Sequence, residues 1–398
     1  MLVQPLDDKG ECIGYYTNGH LTYGALPEEV TGTWGYTPHL NTRAVQYAHL
    51  YCGGQSLGEA CPESLRLNWQ EVSTKLKAYL RSFGEGKIAL DDHCFYNLVP
   101  ERFLLEFFDT KQRITEHVLK NYPQPDNYDF LVDLSRVLLA MSQRELKLDL
   151  NPLKSRLGEK RVRDFWKKIL KKGDNKVVYN LFGTKTGRLT TKRGSFPILT
   201  LDTSLRSVIR PNNNWLVEID LNGAELRTLL ALSGHEQPTE DLHEWNMKNI
   251  FDEDMTRAEA KKKIFAWLYN PKALNKKAEA YYNKELVLEK HYNGERVQTF
   301  YGRTIPADDH HALNYIIQST TSDLFLRQLC VVDKMLEGRK SYVSLCIHDS
   351  MVLDLHNDDK PLLPEILRTF SQTELGDYKI NVSVGKDFGN MERIAWKQ

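Results

Sequence analysis

The sequence predicts an α+β protein of two or three subdomains, and three observations lead there. Its 398 residues exceed one typical domain, and a hydrophobic content of 41% suffices for sizeable cores. Apolar residues recur with helical period over long stretches, as in "LRLNWQEVSTKLKAYLRSF", "PERFLLEFFDTKQRITEHVLKNY" and "YDFLVDLSRVLLAMSQREL". Short runs rich in Val, Ile and Leu, bounded by Gly, Asn or Asp, stand apart from them: "WLVEIDL" and the two halves of "YVSLCIHDSMVLDL".

Taken in order, residues 1–64 are rich in Gly, Thr and Tyr and predict short strands and loops, with no chemistry attached. Residues 65–176 form a helical arm. Residues 177–235 mix strands with Gly-containing turns, and 236–295 return to helix. Residues 296–398 hold a turn, a long helix from His311 to Leu336 and a hairpin. The start has no basic stretch followed by an apolar core, and no run approaches the roughly 20 apolar residues of a membrane span. A soluble, unprocessed chain is expected. Six cysteines lie far apart without a CxxC pair, which argues against a zinc site and a dense disulfide framework, and for a reducing cytoplasm, bacterial or that of an infected host.

Lys plus Arg equals Asp plus Glu at 53 each, so net charge gives no support to a nucleic-acid partner. The distribution is uneven. Lys147 to Lys176 carries eleven basic and four acidic residues, whereas 236–254 is mostly acidic. The basic stretch reads either as a phosphate-tracking stripe or as a solvated helix face.

Three constellations carry candidate chemistry. In "WLVEIDLNGAELRTLLALSG", Trp215 to Ile219 reads as a buried strand, Asn222-Gly223 as a turn, and Ala224 to Ser233 as a helix ended by Gly234. Asp220 then lies at a strand end and Asp349 at a hairpin tip. Two such carboxylates could hold two divalent cations for phosphoryl transfer, or each could merely start a turn. In "RAEAKKKIFAWLYN", Arg257, Lys261, Phe265 and Tyr269 recur every four residues and share one helix face. Two cations followed by two rings suit a triphosphate and a base, and an amphipathic helix with solvated lysines fits the same spacing. In "TKTGRLTT", small residues around Gly187 and Arg188 allow close approach to phosphate, and ordinary turns use the same residues.

With these stretches in this order, the chain resembles the family A DNA polymerases, the DNA polymerase I class, from about residue 177 to 390. The resemblance rests on Arg257-x3-Lys261-x3-Phe265-x3-Tyr269, Asp220 with Glu225-Leu226-Arg227, Thr186-Gly187-Arg188-Leu189 and His348-Asp349. Asp241-Leu242-His243, Asn314-x3-Gln318 and the closing "VGKDFGN" add to it. It implies a right-hand fold with a helical thumb (65–176), an antiparallel-sheet palm (177–235 and 296–398) and helical fingers (236–295).

By position it implies that Asp220, Asp349 and the carbonyl of Leu221 bind two Mg2+ ions, with Mn2+ able to substitute. Arg257, Lys261 and His243 would grip the triphosphate of a deoxynucleotide, and Lys261 would also protonate the leaving pyrophosphate. Phe265 would lie beside sugar and base, Tyr269 would occupy the template-base position, and Glu225 would exclude a ribose 2′-hydroxyl. Arg188, Thr186, Asn314, Gln318 and His348 would touch primer-template DNA.

Three residues depart from the family pattern: Ser350 where Glu usually follows His-Asp, Asn270 for a usual Gly, and His310 for a common Arg. The first 180 residues contain no Asp-x-Glu triplet, so no proofreading is expected. The resemblance implies a monomeric enzyme working with primer-template DNA and dNTPs, any exonuclease, primase or processivity factor being a separate protein. The rival readings are a single-subunit phage-type RNA polymerase, disfavoured by Glu225 and Phe265, and a non-catalytic DNA-binding remnant.

Overall fold

The run Trp215–Leu221 has five apolar residues of seven, and Leu216, Val217, Ile219 and Leu221 are buried, as in the central strand of a sheet. In the computed structural model it is the centre of a sheet. The structure describes residues 1–398 except 10, 42, 173–174, 252–254, 271 and 397–398. The chain divides into two compact units, Met1–Arg136 and Val137–Gln398.

In the first unit, strands β1 (Gln4–Pro5), β2 (Gly14–Thr17) and β3 (His20–Tyr23) form an antiparallel meander. Helices α1 (Arg66–Glu85) and α2 (Glu101–Asn121) complete its core, in which Leu6 and Tyr16 from the strands meet Val72, Phe103, Leu104 and Phe107. The first 64 residues therefore share a core with the helices after them. Cys12 and Cys94 are joined in a disulfide. Local spacing gave no sign of this bond, because its cysteines stand 82 residues apart, and it runs counter to the reducing compartment expected from the sequence. The division between units falls within helix α3 (Tyr128–Gln143).

The second unit carries the basic helix α4 (Lys160–Lys172) and a five-stranded antiparallel sheet. Its strands are β4 (Trp215–Leu221), β5 (Tyr342–Ile347), β6 (Ser350–Leu355), β7 (Ile380–Gly385) and β8 (Glu392–Ile394), in the order β5-β6-β4-β7-β8. Val217, Ile219 and Leu221 point to one face and are 0–1% exposed. Glu218 and Asp220, on the other parity, point to the opposite face.

Helix α5 (Ala224–Ser233) begins and ends on glycines in the left-handed region, Gly223 at φ 60° and Gly234 at φ 78°. These are positions where a side chain would be strained. Helices α6 (Leu242–Asn249), α7 (Arg257–Tyr269), α8 (Lys276–Tyr282) and α9 (Lys284–His291) follow. Leu226, Leu229 and Leu230 of α5, Trp267 and Leu268 of α7, Tyr282 of α8, Val287 of α9 and Ile316 and Ile317 of the long helix α10 (Ala312–Met335) build one apolar core. Helix α11 (Leu363–Ser371) packs on α10. Among the described residues, no helix is long and apolar enough to cross a membrane.

Candidate active site

Strand register brings the two aspartates together. Asp220 of β4 pairs with Ser350 of β6, so Asp349, one residue earlier at the hairpin tip, lies beside the end of β4. The Leu221 amide donates to the Asp349 carbonyl at 3.3 Å. The hairpin loop has two residues, and His348 takes the left-handed conformation (φ 55°) that such tight turns demand. On the other edge of β4, Asp220 pairs with Asn381, whose amide donates to its carboxylate at 3.0 Å.

Both carboxyls are costly to ionise. Burial pushes the Asp220 carboxyl up to about 7, with the negative charge of Asp349 adding to it and the Asn381 amide opposing it. Asp349 is raised as well, by burial first and by Glu225 next. Such a pair favours a bound cation, because opposite charge restores the ionised form. Ser350 faces neither carboxylate in its bonding: its hydroxyl donates to Glu218 at 3.1 Å.

Opposite the strand ends, α7 presents its row. A capping box starts the helix, with Thr256 and Glu259 satisfying each other's amides. Ala260, Ile264, Trp267 and Leu268 bury one side in the core, which leaves Arg257, Lys261, Phe265 and Tyr269 facing a cleft of about 470 Å3 that Asp220 and Asp349 also line. The rings of Phe265 and Tyr269 stack with centroids 6.0 Å apart. His243 faces Phe265 at 5.9 Å, is 3% exposed, and has a buried Nδ1 without a hydrogen-bond partner among the described residues. Burial, then the nearby Arg257, lowers its pKa to about 4, so it meets a ligand as a neutral donor or acceptor.

Glu225 closes a third side. Its carboxylate accepts from the Arg188 guanidinium and from the Tyr269 hydroxyl. Burial and the Glu225 charge hold that phenol far above its ordinary range. At the entrance, Asp241 caps α6 through the amides of His243 and Glu244, accepts from Asn222 at 2.7 Å, and forks Arg257 through Nε at 3.1 Å and Nη2 at 2.7 Å. Burial alone would raise the Asp241 carboxyl, but these donors outweigh it and hold it well below the usual range.

The cleft thus gathers Arg188, Asp220, Leu221, Glu225, His243, Arg257, Lys261, Phe265, Tyr269, Gln318, His348 and Asp349, all singled out from the sequence. Thr186 and Asn314 do not line it. Thr186 is buried within the "TKTGR" loop, and Asn314 lies one turn before Gln318 on α10 with its Oδ1 unpaired among the described residues. Sequence reasoning missed Asn222 and Asn381. Asn222 sat in an Asn-Gly turn signal and was read as no more than that. Asn381 breaks the apolar run of β7, a hint that a polar group faces it.

The donor set fits magnesium. Two carboxylates and a main-chain carbonyl are hard oxygen ligands, and Mg2+ takes one or two carboxylates while keeping waters and substrate phosphates. Among the described residues no group of three or more His, Cys, Asp or Glu is arranged to hold a metal.

Sheet, long helix and cleft define the class: an α+β protein with the fold of a polymerase domain. Among solved structures, the chain is similar to the POL domain of Pol1 from M. smegmatis in complex with DNA primer-template and dNTP, with a TM-score of 0.61 over 87% of this chain and 82% of that one. Sequence identity is 13%, so the likeness speaks for the fold. No family model and no curated protein matches the chain. The α+β class and antiparallel sheet expected from the sequence are both present.

Proposed function

We propose that the chain is a template-directed DNA polymerase of the family A type, adding deoxynucleotides to a primer 3′ end without proofreading. The observation that carries this is the juxtaposition of two half-buried aspartates with a helix face of two cations and two stacked rings across one cleft. Residues 65–176 serve as thumb, 177–235 and 296–398 as palm, and 236–295 as fingers.

In this reading the primer 3′-hydroxyl attacks the α-phosphate and gives its proton to water, the bond to the β-phosphate breaks, and pyrophosphate leaves. Asp220, Asp349 and the Leu221 carbonyl would hold two Mg2+ ions, which would supply activation of the attacking oxygen and neutralisation of charge on the leaving one. Arg257 and Lys261 bind the triphosphate, and Lys261 gives a proton to the pyrophosphate oxygen. His243, being neutral, adds a hydrogen bond and no charge. Phe265 packs on sugar and base, and Tyr269 stands where the template base enters. Glu225, fixed by Arg188 and Tyr269, is a rigid wall against a ribose 2′-hydroxyl. Arg188, Gln318 and His348 touch primer or template near the new base pair, and Thr186 and Asn314, outside the cleft, belong to the same set of DNA-contacting residues. The basic stretch from Lys147 to Lys176 grips duplex phosphates, a contact weakened by salt.

Primer extension with magnesium tests the reading. The parent extends a primed template with dNTPs, and Asp220→Ala or Asp349→Ala loses extension. Near-parental rates in either variant would overturn the metal assignment, and unprimed synthesis from ribonucleotides alone would replace the reading with an RNA polymerase.

A further inference from the structure

We propose that Asn222 is a positioning residue for nucleotide binding: it fixes the Asp241 carboxylate, and that carboxylate aims Arg257 into the cleft. The inference rests on the polymerase reading and goes beyond it, since neither Asn222 nor Asp241 was given a function there.

Asn222 follows Asp220 and Leu221 directly, at the turn into α5. Its side chain is 1% exposed and nearly saturated. The amide nitrogen donates to Asp241 Oδ2 at 2.7 Å, while its Oδ1 accepts from the Leu242 amide at 3.1 Å and from Arg227 Nη2 at 3.3 Å. Arg227, fully buried, holds the same corner from below. Its Nε donates to the Asn222 carbonyl at 2.7 Å, and its remaining nitrogens bond the carbonyls of Pro238 and Glu240 at 2.8 and 2.9 Å. The turn after the metal strand and the loop before α6 are thereby pinned into one piece.

The geometry of Asp241 then dictates that of Arg257. Five donors converge on its two oxygens: two amides, the Asn222 amide and two guanidinium nitrogens. A carboxylate so bound cannot turn, and a forked guanidinium must lie in its plane. Arg257 Nη1 makes no hydrogen bond to a described residue, and Arg257 lines the cleft. Two nitrogens fix the group and the third is left for a phosphate oxygen. Without Asn222, Asp241 loses its shortest neutral donor, and Arg257 keeps its charge but loses its aim.

A double-mutant cycle tests this. The KM for a single dNTP and kcat are measured for the parent, Asn222→Ala, Arg257→Ala and the double variant, with melting temperature as a check on folding and Asn222→Ser as the milder form should Asn222→Ala fold poorly. Loss of a supporting partner of this kind raises KM by about tenfold with kcat within about threefold. Because Asn222 acts through Arg257, the double variant has the KM of Arg257→Ala alone. Multiplicative effects would mean that Asn222 touches the nucleotide itself, and an unchanged KM in a folded Asn222 variant would mean that the relay is idle. Either overturns the proposal. Failure of the parent to extend any primer would instead defeat the polymerase reading, so the two failures are told apart.

Discussion

The two ends of the cleft are built on opposite electrostatic principles. At the strand end, Asp220 and Asp349 are held by sheet register with too little positive charge nearby, and both carboxyls are pushed up. At the helix end, Arg257 meets in Asp241 a carboxylate that is over-supplied with donors and held far down. One end is a stored deficit of positive charge, the other a finished ion pair. A site of this kind favours positive charge at the sheet and offers prearranged donors at the helix, so that the two ends respond to different perturbations.

The largest expected effect is at the deficient end. On the proposed reading, Asp220→Ala or Asp349→Ala lowers the rate of primer extension by at least about a hundredfold, because losing a proposed metal ligand weakens metal binding and removes charge stabilisation together. The comparison sharpens if Arg257→Ala, at the finished end, mainly raises KM for dNTP. Equal losses of kcat at both ends would dissolve the distinction.

The second effect is on stability, and its sign follows from Asp220. The folded chain holds the Asp220 proton to about pH 7, whereas an unfolded Asp releases it near 4. The folded state therefore binds more protons across that window, and the stability owed to the neutral form, complete below about pH 4, is lost as pH rises through about 7. In metal-free protein, Asp220→Asn is expected to raise unfolding free energy by roughly 2 to 4 kcal/mol at pH 8 and by little at pH 4. Urea melts at the two values check it. Magnesium at pH 8 should stabilise the parent and leave the variant unmoved. His243 gives the contrast, since its pKa near 4 keeps it neutral throughout. His243→Gln should leave the shape of the rate profile between pH 5 and 8 unchanged, and a limb lost from that profile would show His243 titrating there.

Much of this was legible in the sequence where the signal is local. The glycine limits of α5, the extent of α10 and the hairpin around His348-Asp349 all follow from period and turn chemistry, and the i, i+4 row of α7 fell on one face as spaced. What was hidden depends on partners far along the chain. Asn381 reaches Asp220 across 161 residues, Cys12 finds Cys94 across 82, and Asn222 serves Asp241 through a loop that no period describes. The Asp-Leu-His match was visible, yet the ion pair between Asp241 and Arg257 was not, since it needs the angle between α6 and α7.

The smallest expected effect concerns Ser350, and it separates bonding from charge at the deficient end. Ser350 pairs in register with Asp220, but its hydroxyl serves Glu218, two residues earlier on the same face of β4. Glu218 in turn adds to the negative field that raises Asp220. Ser350→Ala removes one neutral donor to a partly exposed carboxylate, which costs about 1 kcal/mol of stability. It adds no charge, so the rate of extension should change by less than about threefold. Ser350→Glu is the opposite case, because a second carboxylate, at a position 5% exposed, would face Glu218 and Asp220. That variant should be destabilised in metal-free protein at pH 8 and recover as pH falls towards 5 or as magnesium is added. Stabilisation at pH 8 without metal would mean that the strand end is not short of positive charge, and would remove the contrast between the two ends of the cleft.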